Sequence, residues 1–176
     1  MLDTGGPGVQ RIRVVGVYIY PNYDAQNYIN DLALLQLERQ LDLGGTSGLK
    51  KSVLATDPSM ISLLRPGTRC YVAGWGKTQN TGSDEILREA MVPIIDYQIC
   101  RTWLANLTPA SFCAGYEAGG IDACQGDSGG PLICELPGYG MVQTGIVSWG
   151  VDCGRPRLPG VYTNLAYFAN WFKSVL

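Results

Sequence analysis

Six cysteines constrain this chain before anything else does. They stand at positions 70, 100, 113, 124, 134 and 153, all within the last 107 of 176 residues, and no two are spaced Cys-x-x-Cys. The chain has no histidine, so a tetrahedral Cys/His zinc site has no ligand set to draw on. An even, dispersed set reads instead as three disulfides, which places the protein in an oxidising compartment and predicts a secreted or extracellular location. Buried free thiols are the alternative. Sequence alone leaves fifteen pairings open. Asn106-Leu107-Thr108, followed by Pro109, fits an N-glycosylation acceptor and agrees with secretion. The start, Met1-Leu2-Asp3-Thr4-Gly5-Gly6, has no basic region of the kind that opens a signal peptide.

Between the cysteines the chain alternates short apolar runs with Gly, Pro and Asp turns. Val14–Tyr20 reads as a strand ended by Pro21-Asn22-Tyr23-Asp24, and Leu32–Leu37 as a second short run. Gly44-Gly45-Thr46-Ser47-Gly48 is a linker by composition. Cys70–Ala73, Met91–Ile95, Pro131–Cys134 and Met141–Trp149 continue the series. Many short strands without alternating long helices predict an all-β sandwich or barrel. The C-terminus is the exception. Asn164 is placed to cap a helix whose Leu165, Phe168, Phe172 and Val175 share one face.

Composition removes several function classes. With 46% hydrophobic residues the chain has ample material for a core, so disorder is excluded. A net charge of −2 and no basic run longer than Lys50-Lys51 argue against nucleic acid and anionic membrane as partners. Apolar stretches such as Leu32–Leu35 fall far short of the roughly 20 residues that span a bilayer. The absence of histidine also removes the usual general base.

The chemically loaded segment is Gly126-Asp127-Ser128-Gly129-Gly130. Glycines around a serine permit a strained turn, let a substrate backbone approach and leave N–H groups free for an oxyanion. The five residues match the nucleophile elbow of α/β-hydrolases. That fold needs a downstream His and a strand–helix alternation, and this chain has neither.

A wider comparison is more specific. Asp122-Ala123-Cys124-Gln125-Gly126-Asp127-Ser128-Gly129-Gly130-Pro131-Leu132 resembles the active-site stretch of the trypsin-like, chymotrypsin-fold serine proteases. Asn30-Asp31-Leu32-Ala33-Leu34-Leu35, Gly74-Trp75-Gly76, Gly145–Gly150 and Pro159–Thr163 match further motifs in the family's order. The resemblance runs from about residue 14 to the end.

The resemblance implies an all-β, chymotrypsin-like pair of six-stranded antiparallel β-barrels with the first barrel incomplete, followed by a C-terminal helix. Residues 12–43 would be a remnant of the first barrel, 44–66 the inter-barrel linker, 67–163 the second barrel and 164–176 the helix. Ser128 is then the nucleophile of an acyl-enzyme, the N–H groups of Gly126 and Ser128 form the oxyanion hole, and Asp31 orients the base. Asp122 floors the primary specificity pocket, where its carboxylate pairs with a substrate Arg or Lys. Gly150 and Gly160 keep the pocket walls open. Gln125, Ser148 and Trp149 belong to the substrate cleft. The pairings would be Cys70–Cys134, Cys100–Cys113 and Cys124–Cys153. Protein substrates cut after Arg or Lys follow, with protein protease inhibitors as further partners. No cofactor or metal is implied.

The chain departs from the family in two respects, both upstream of Asp31. The family order is His, then Asp, then Ser. No segment before Asp31 resembles the Ala-rich stretch ending His-Cys, nor the amino-terminal Ile-Val-Gly-Gly whose amine pairs with the aspartate before the nucleophile, here Asp127. The expectation is an N-terminally truncated peptidase domain, inactive alone. A non-catalytic, protease-like binding protein is the alternative. The match at Ser128, Asp31, Asp122 and the pocket glycines favours truncation.

Overall fold

The structure, a computed structural model, describes residues 8–44, 48–79 and 85–175. The first residues, the centre of the expected glycine-rich linker and most of the Thr78–Asp84 loop lie outside that range. Eleven elements follow one another among the described residues. They are β1 Val14–Ile19, β2 Ala33–Leu37, α1 Pro58–Ile61, β3 Arg69–Gly74, β4 Arg88–Pro93 and α2 Tyr97–Trp103. Then come β5 Ser111–Ala114, β6 Pro131–Leu136, β7 Gly140–Trp149, β8 Gly160–Asn164 and α3 Ala169–Val175.

Strands β4-β3-β6-β7-β8-β5 form one antiparallel sheet in that spatial order. Its two edges meet. Ile94, just past β4, bridges Ala114 at the end of β5. Ile95 N–H donates to Cys113 O at 2.9 Å, and Gly115 N–H to Pro93 O at 2.9 Å. Closure of this kind removes the exposed edges an open sheet would present.

Alternation along the strands fills the interior. Cys70, Val72, Val92, Leu132, Cys134, Leu136 and Val142 are all buried in one cluster. Cys70 and Cys134 face each other in the β3–β6 register and form a disulfide across it. Cys100–Cys113 ties α2 to β5, and Cys124–Cys153 joins the segment before β6 to the β7–β8 connection. Asp96 caps α2, its carboxylate accepting from Gln98 N at 2.8 Å and Ile99 N at 3.1 Å.

The stretch between the sheets is more than a spacer. Gln143 on β7 donates to Val53 O at 2.8 Å, and Ala55 N–H donates back to Gln143 O at 2.9 Å, with Ala55 buried. Strands β1 and β2 make a separate two-stranded antiparallel sheet. A pair of strands is marginal by itself. This one is anchored through Tyr20, whose ring meets Phe168 edge-on at 4.8 Å and Trp171 at 5.3 Å, and through buried Leu32. Its remaining surface is apolar and open: Val17 is 60% exposed and Leu35 60%.

The C-terminal helix begins later than expected. Asn164 ends β8, and its N–H donates to Ala110 O at 2.8 Å, which keeps it extended. Its carboxamide does cap, accepting from Ala166 N at 3.2 Å, but what it starts is a turn over 165–168. The helix follows from Ala169. Leu165, Phe168 and Phe172 nonetheless share one buried cluster.

Candidate active site

The loop entering β6 is wound tightly by its own main chain. Asp127 N–H donates to Cys124 O at 3.0 Å and Gly130 N–H to Asp127 O at 2.9 Å. Gly129 N–H donates to Val147 O and Val147 N–H to Gly130 O, both at 2.9 Å, fastening the loop to β7. Gly126 has φ +99 and Gly129 φ +80, backbone conformations that a side chain would strain. The result is an exposed Ser128 at the tip. Among the described residues, the N–H groups of Gly126 and Ser128 donate to no other group, whereas those of Asp127, Gly129 and Gly130 are all engaged.

Asp127 turns the other way. Its carboxylate accepts from Gly76 N at 2.8 Å and Cys124 N at 2.9 Å. Gly74 and Gly76 make room for it: a Cβ at either position would overlap the carboxylate. The Gly74-Trp75-Gly76 motif therefore has a spatial reason. Lys77 N–H donates to Gln125 O at 2.8 Å, closing the contact between the two segments.

Asp31 arrives from the two-stranded module and is clamped twice. Ser148 Oγ on β7 donates to Asp31 Oδ2 at 2.7 Å, and Thr163 Oγ1 on β8 donates to Asp31 O at 2.7 Å. The preceding Asn30 is held at φ +56 by donating its amide to Asn22 O at 2.9 Å. Thr163 is 2% exposed, and its role in fixing Asp31 had no signal in the strand pattern.

A cavity of about 310 Å³ is lined by Ser128, Ser148, Trp149, Gly150, Gly160 and Tyr28, with Gln125 also on its wall. Ser128, Gln125, Ser148, Trp149, Gly150 and Gly160, which the resemblance placed at the site, thus line one cavity. Tyr28 is an addition that sequence reasoning missed, brought in by a loop in which it holds φ +53.

Asp122 does not line this cavity. Its Oδ1 accepts from Ala123 N at 2.8 Å and its Oδ2 from Gly154 N at 3.1 Å. It sits behind Gly160, where a Cβ would come within 2.8 Å of Oδ1. It also lines two neighbouring cavities, the larger about 490 Å³ and shared with Lys77, Gly154 and Arg155. Burial pushes the Asp122 carboxyl above the usual carboxylate range, against the backbone N–H groups that favour its charge. Beside it stands Tyr162, fully buried, its hydroxyl without a hydrogen-bond partner among the described residues. Burial, reinforced by the Asp122 and Asp127 charges, raises the phenol's pKa and keeps it protonated.

No helix among the described residues is long and apolar enough to cross a membrane. The trypsin family model matches residues 2–172. Serine protease 56 of Homo sapiens is 40% identical over 173 residues, covering 96% of this chain and 28% of that protein. Transmembrane protease serine 5 of Homo sapiens is 41% identical over 157 residues, or 86% of this chain and 33% of that protein. Transmembrane protease serine 9 of Rattus norvegicus is 36% identical over 168 residues, or 94% of this chain and 15% of that protein. The chain thus spans a third or less of the length of these relatives. A curled antiparallel barrel, an exposed serine on a glycine-wound loop and a family match over nearly the whole chain lead to one assignment: this chain belongs to the trypsin family of serine proteases.

Proposed function

We propose that the chain is the nucleophile-bearing part of an extracellular serine endopeptidase that cleaves after Arg or Lys. The observation that carries this reading is the pair of open N–H groups, Gly126 and Ser128, flanking an exposed serine in a cavity whose opposite wall clamps Asp31 through Ser148. In that arrangement Ser128 Oγ attacks the substrate carbonyl, and the developing oxyanion takes the two N–H donors, each typically worth about 3–4 kcal/mol. Asp31 orients an imidazole and stabilises it once protonated. Asp122, directly behind the Gly160 wall, supplies the carboxylate that selects a cationic side chain. The three disulfides support an oxidising, extracellular setting, with proteins as substrates and protein inhibitors as further partners.

The chain holds no histidine. Without a base, turnover falls by on the order of 10⁶-fold, so the chain alone is inactive. That absence is also what favours the second reading, a protease-like protein that binds and does not cut.

The test has two arms. The purified chain is assayed on an Arg-amide substrate, and expected turnover does not exceed that of Ser128→Ala. The chain joined to a typical histidine-bearing upstream half is expected to cleave after Arg and Lys, with Ser128→Ala abolishing cleavage. Robust cleavage by the chain alone overturns the inactivity. A joined protein that folds, binds substrate and does not cut overturns the catalytic reading in favour of the second.

A further inference from the structure

Asn106-Leu107-Thr108 is the only Asn-x-Ser/Thr triplet in the chain, and the protease reading makes no use of it. It lies on the turn between α2 and β5, inside the loop closed by Cys100–Cys113. Leu107 is 4% exposed and packs with Leu104, Cys113, Val161 and Trp149. With Leu107 pointing inward, Asn106 is left exposed on the outer side of the turn.

Its carboxamide is also idle. The amides of Asn27, Asn30 and Asn164 each donate to a specific partner: Asp24 Oδ2, Asn22 O and Pro109 O. That of Asn106 bonds to nothing among the described residues. Replacing its N–H by a bond to a sugar therefore breaks no contact that shapes the turn.

We infer that Asn106 carries an N-linked glycan. The inference rests on the extracellular reading above, because the modification belongs to the secretory route. In the transfer, Asn106 Nδ2 attacks the anomeric carbon of a lipid-linked oligosaccharide pyrophosphate. The N–C bond forms, and the C–O bond to the pyrophosphate breaks with its electron pair on oxygen. One Nδ2 proton is lost, and no redox partner is needed.

The folded turn fixes when this happens. Leu107 N–H donates to Leu104 O at 3.3 Å, and Thr108 O accepts from Ser111 N–H at 3.0 Å. An engaged main chain cannot thread a transferase that reads an extended triplet, so transfer precedes closure of this turn. Pro109 helps in one respect and hinders in another. It holds Thr108 in extended geometry, yet it removes an N–H and stiffens the approach to the transferase. Attachment is accordingly expected on part of the chains rather than all.

The test expresses the full chain in mammalian cells behind a cleavable secretion leader, so the acceptor is tried whatever the native compartment is. Cell-associated and secreted material are both read by intact mass before and after peptide N-glycosidase. The readout thus does not depend on successful folding or export. Expected is a species heavier by one core oligosaccharide that the enzyme removes, absent from Asn106→Gln and from Thr108→Ala. A single unmodified mass in both fractions overturns the inference. So does a glycan that appears only in Pro109→Ala, because Pro109 would then block the site. Loss of the protease reading in its own assay leaves these results untouched.

Discussion

A methyl group at position 74 tests how the Asp127 carboxylate is seated. Gly74 closes β3 with ordinary extended backbone, so alanine there costs nothing in conformation. The cost is spatial. A Cβ at 74 would overlap Asp127 Oδ1 and stand 3.0 Å from its Cγ, so the carboxylate must leave its two N–H donors at Gly76 and Cys124. Overpacking of this kind costs about 1–3 kcal/mol. Each hydrogen bond to a charged acceptor is worth about 1.5–3 kcal/mol. Asp127 is half-buried and water recovers part of that loss, so Gly74→Ala is expected to destabilise by ~2–4 kcal/mol. For a chain of this size that is a fall in Tm of roughly 5–15 °C. The assay is a double-mutant cycle in thermal and urea unfolding, with disulfides intact and Asp127→Ala as the second mutation. In the Asp127→Ala background the obstacle is gone, and Gly74→Ala should cost less than about 0.5 kcal/mol. Equal cost in both backgrounds, or no cost in either, refutes the argument that Gly74 is small to admit Asp127.

Three further outcomes follow from Asp122 and from the disulfide beside it. Burial raises the Asp122 carboxyl pKa, so affinity for a cationic amidine such as benzamidine should fall with decreasing pH at a higher midpoint than an exposed aspartate gives. Asp122→Ser should lose both the affinity and its pH dependence in calorimetric titration, and retained affinity would disprove the cationic pocket. The sign for stability is the reverse. The folded carboxyl holds its proton more tightly than the unfolded one, so Asp122 favours folding below the ordinary carboxylate pKa. That contribution is lost as pH rises through the raised folded value. Asp122→Asn should flatten this part of the Tm–pH curve, and an unchanged slope there would count against the burial argument. Cys124–Cys153 closes a separation of 29 residues, for which chain entropy predicts about 3–4 kcal/mol. Replacing both by serine should lower the urea midpoint accordingly, and an unchanged midpoint would show that the loop is held without the bond.

How much was legible follows from which residues see each other locally. β3 and β6 alternate buried and open positions, and such runs could be read directly. β8 could not be read that way: it is buried at four of its five positions, so it shows no alternation. Asn164 had the right chemistry for a helix cap, but its ladder bond to Ala110, 54 residues away, holds it in the strand and moves the helix start to Ala169. The site divides in the same way. Glycine content marked the Ser128 loop because the backbone there needs positive φ, a local demand. The clamp on Asp31 joins residues 117 and 132 positions apart; the family's ordered motifs placed Ser148 in the substrate cleft, and neither partner of Asp31 was read from the sequence. Asp122 shows the limit most clearly. The resemblance put it on the pocket floor; its Oδ1 is held by the adjacent Ala123 N–H, a local contact, but its Oδ2 by Gly154 N–H, 32 residues on. β8 supplies the rest of that setting: Gly160 lies against Asp122 Oδ1 and the buried Tyr162 phenol stands within reach of its charge, contacts between residues 38 and 40 positions apart that no local pattern contains.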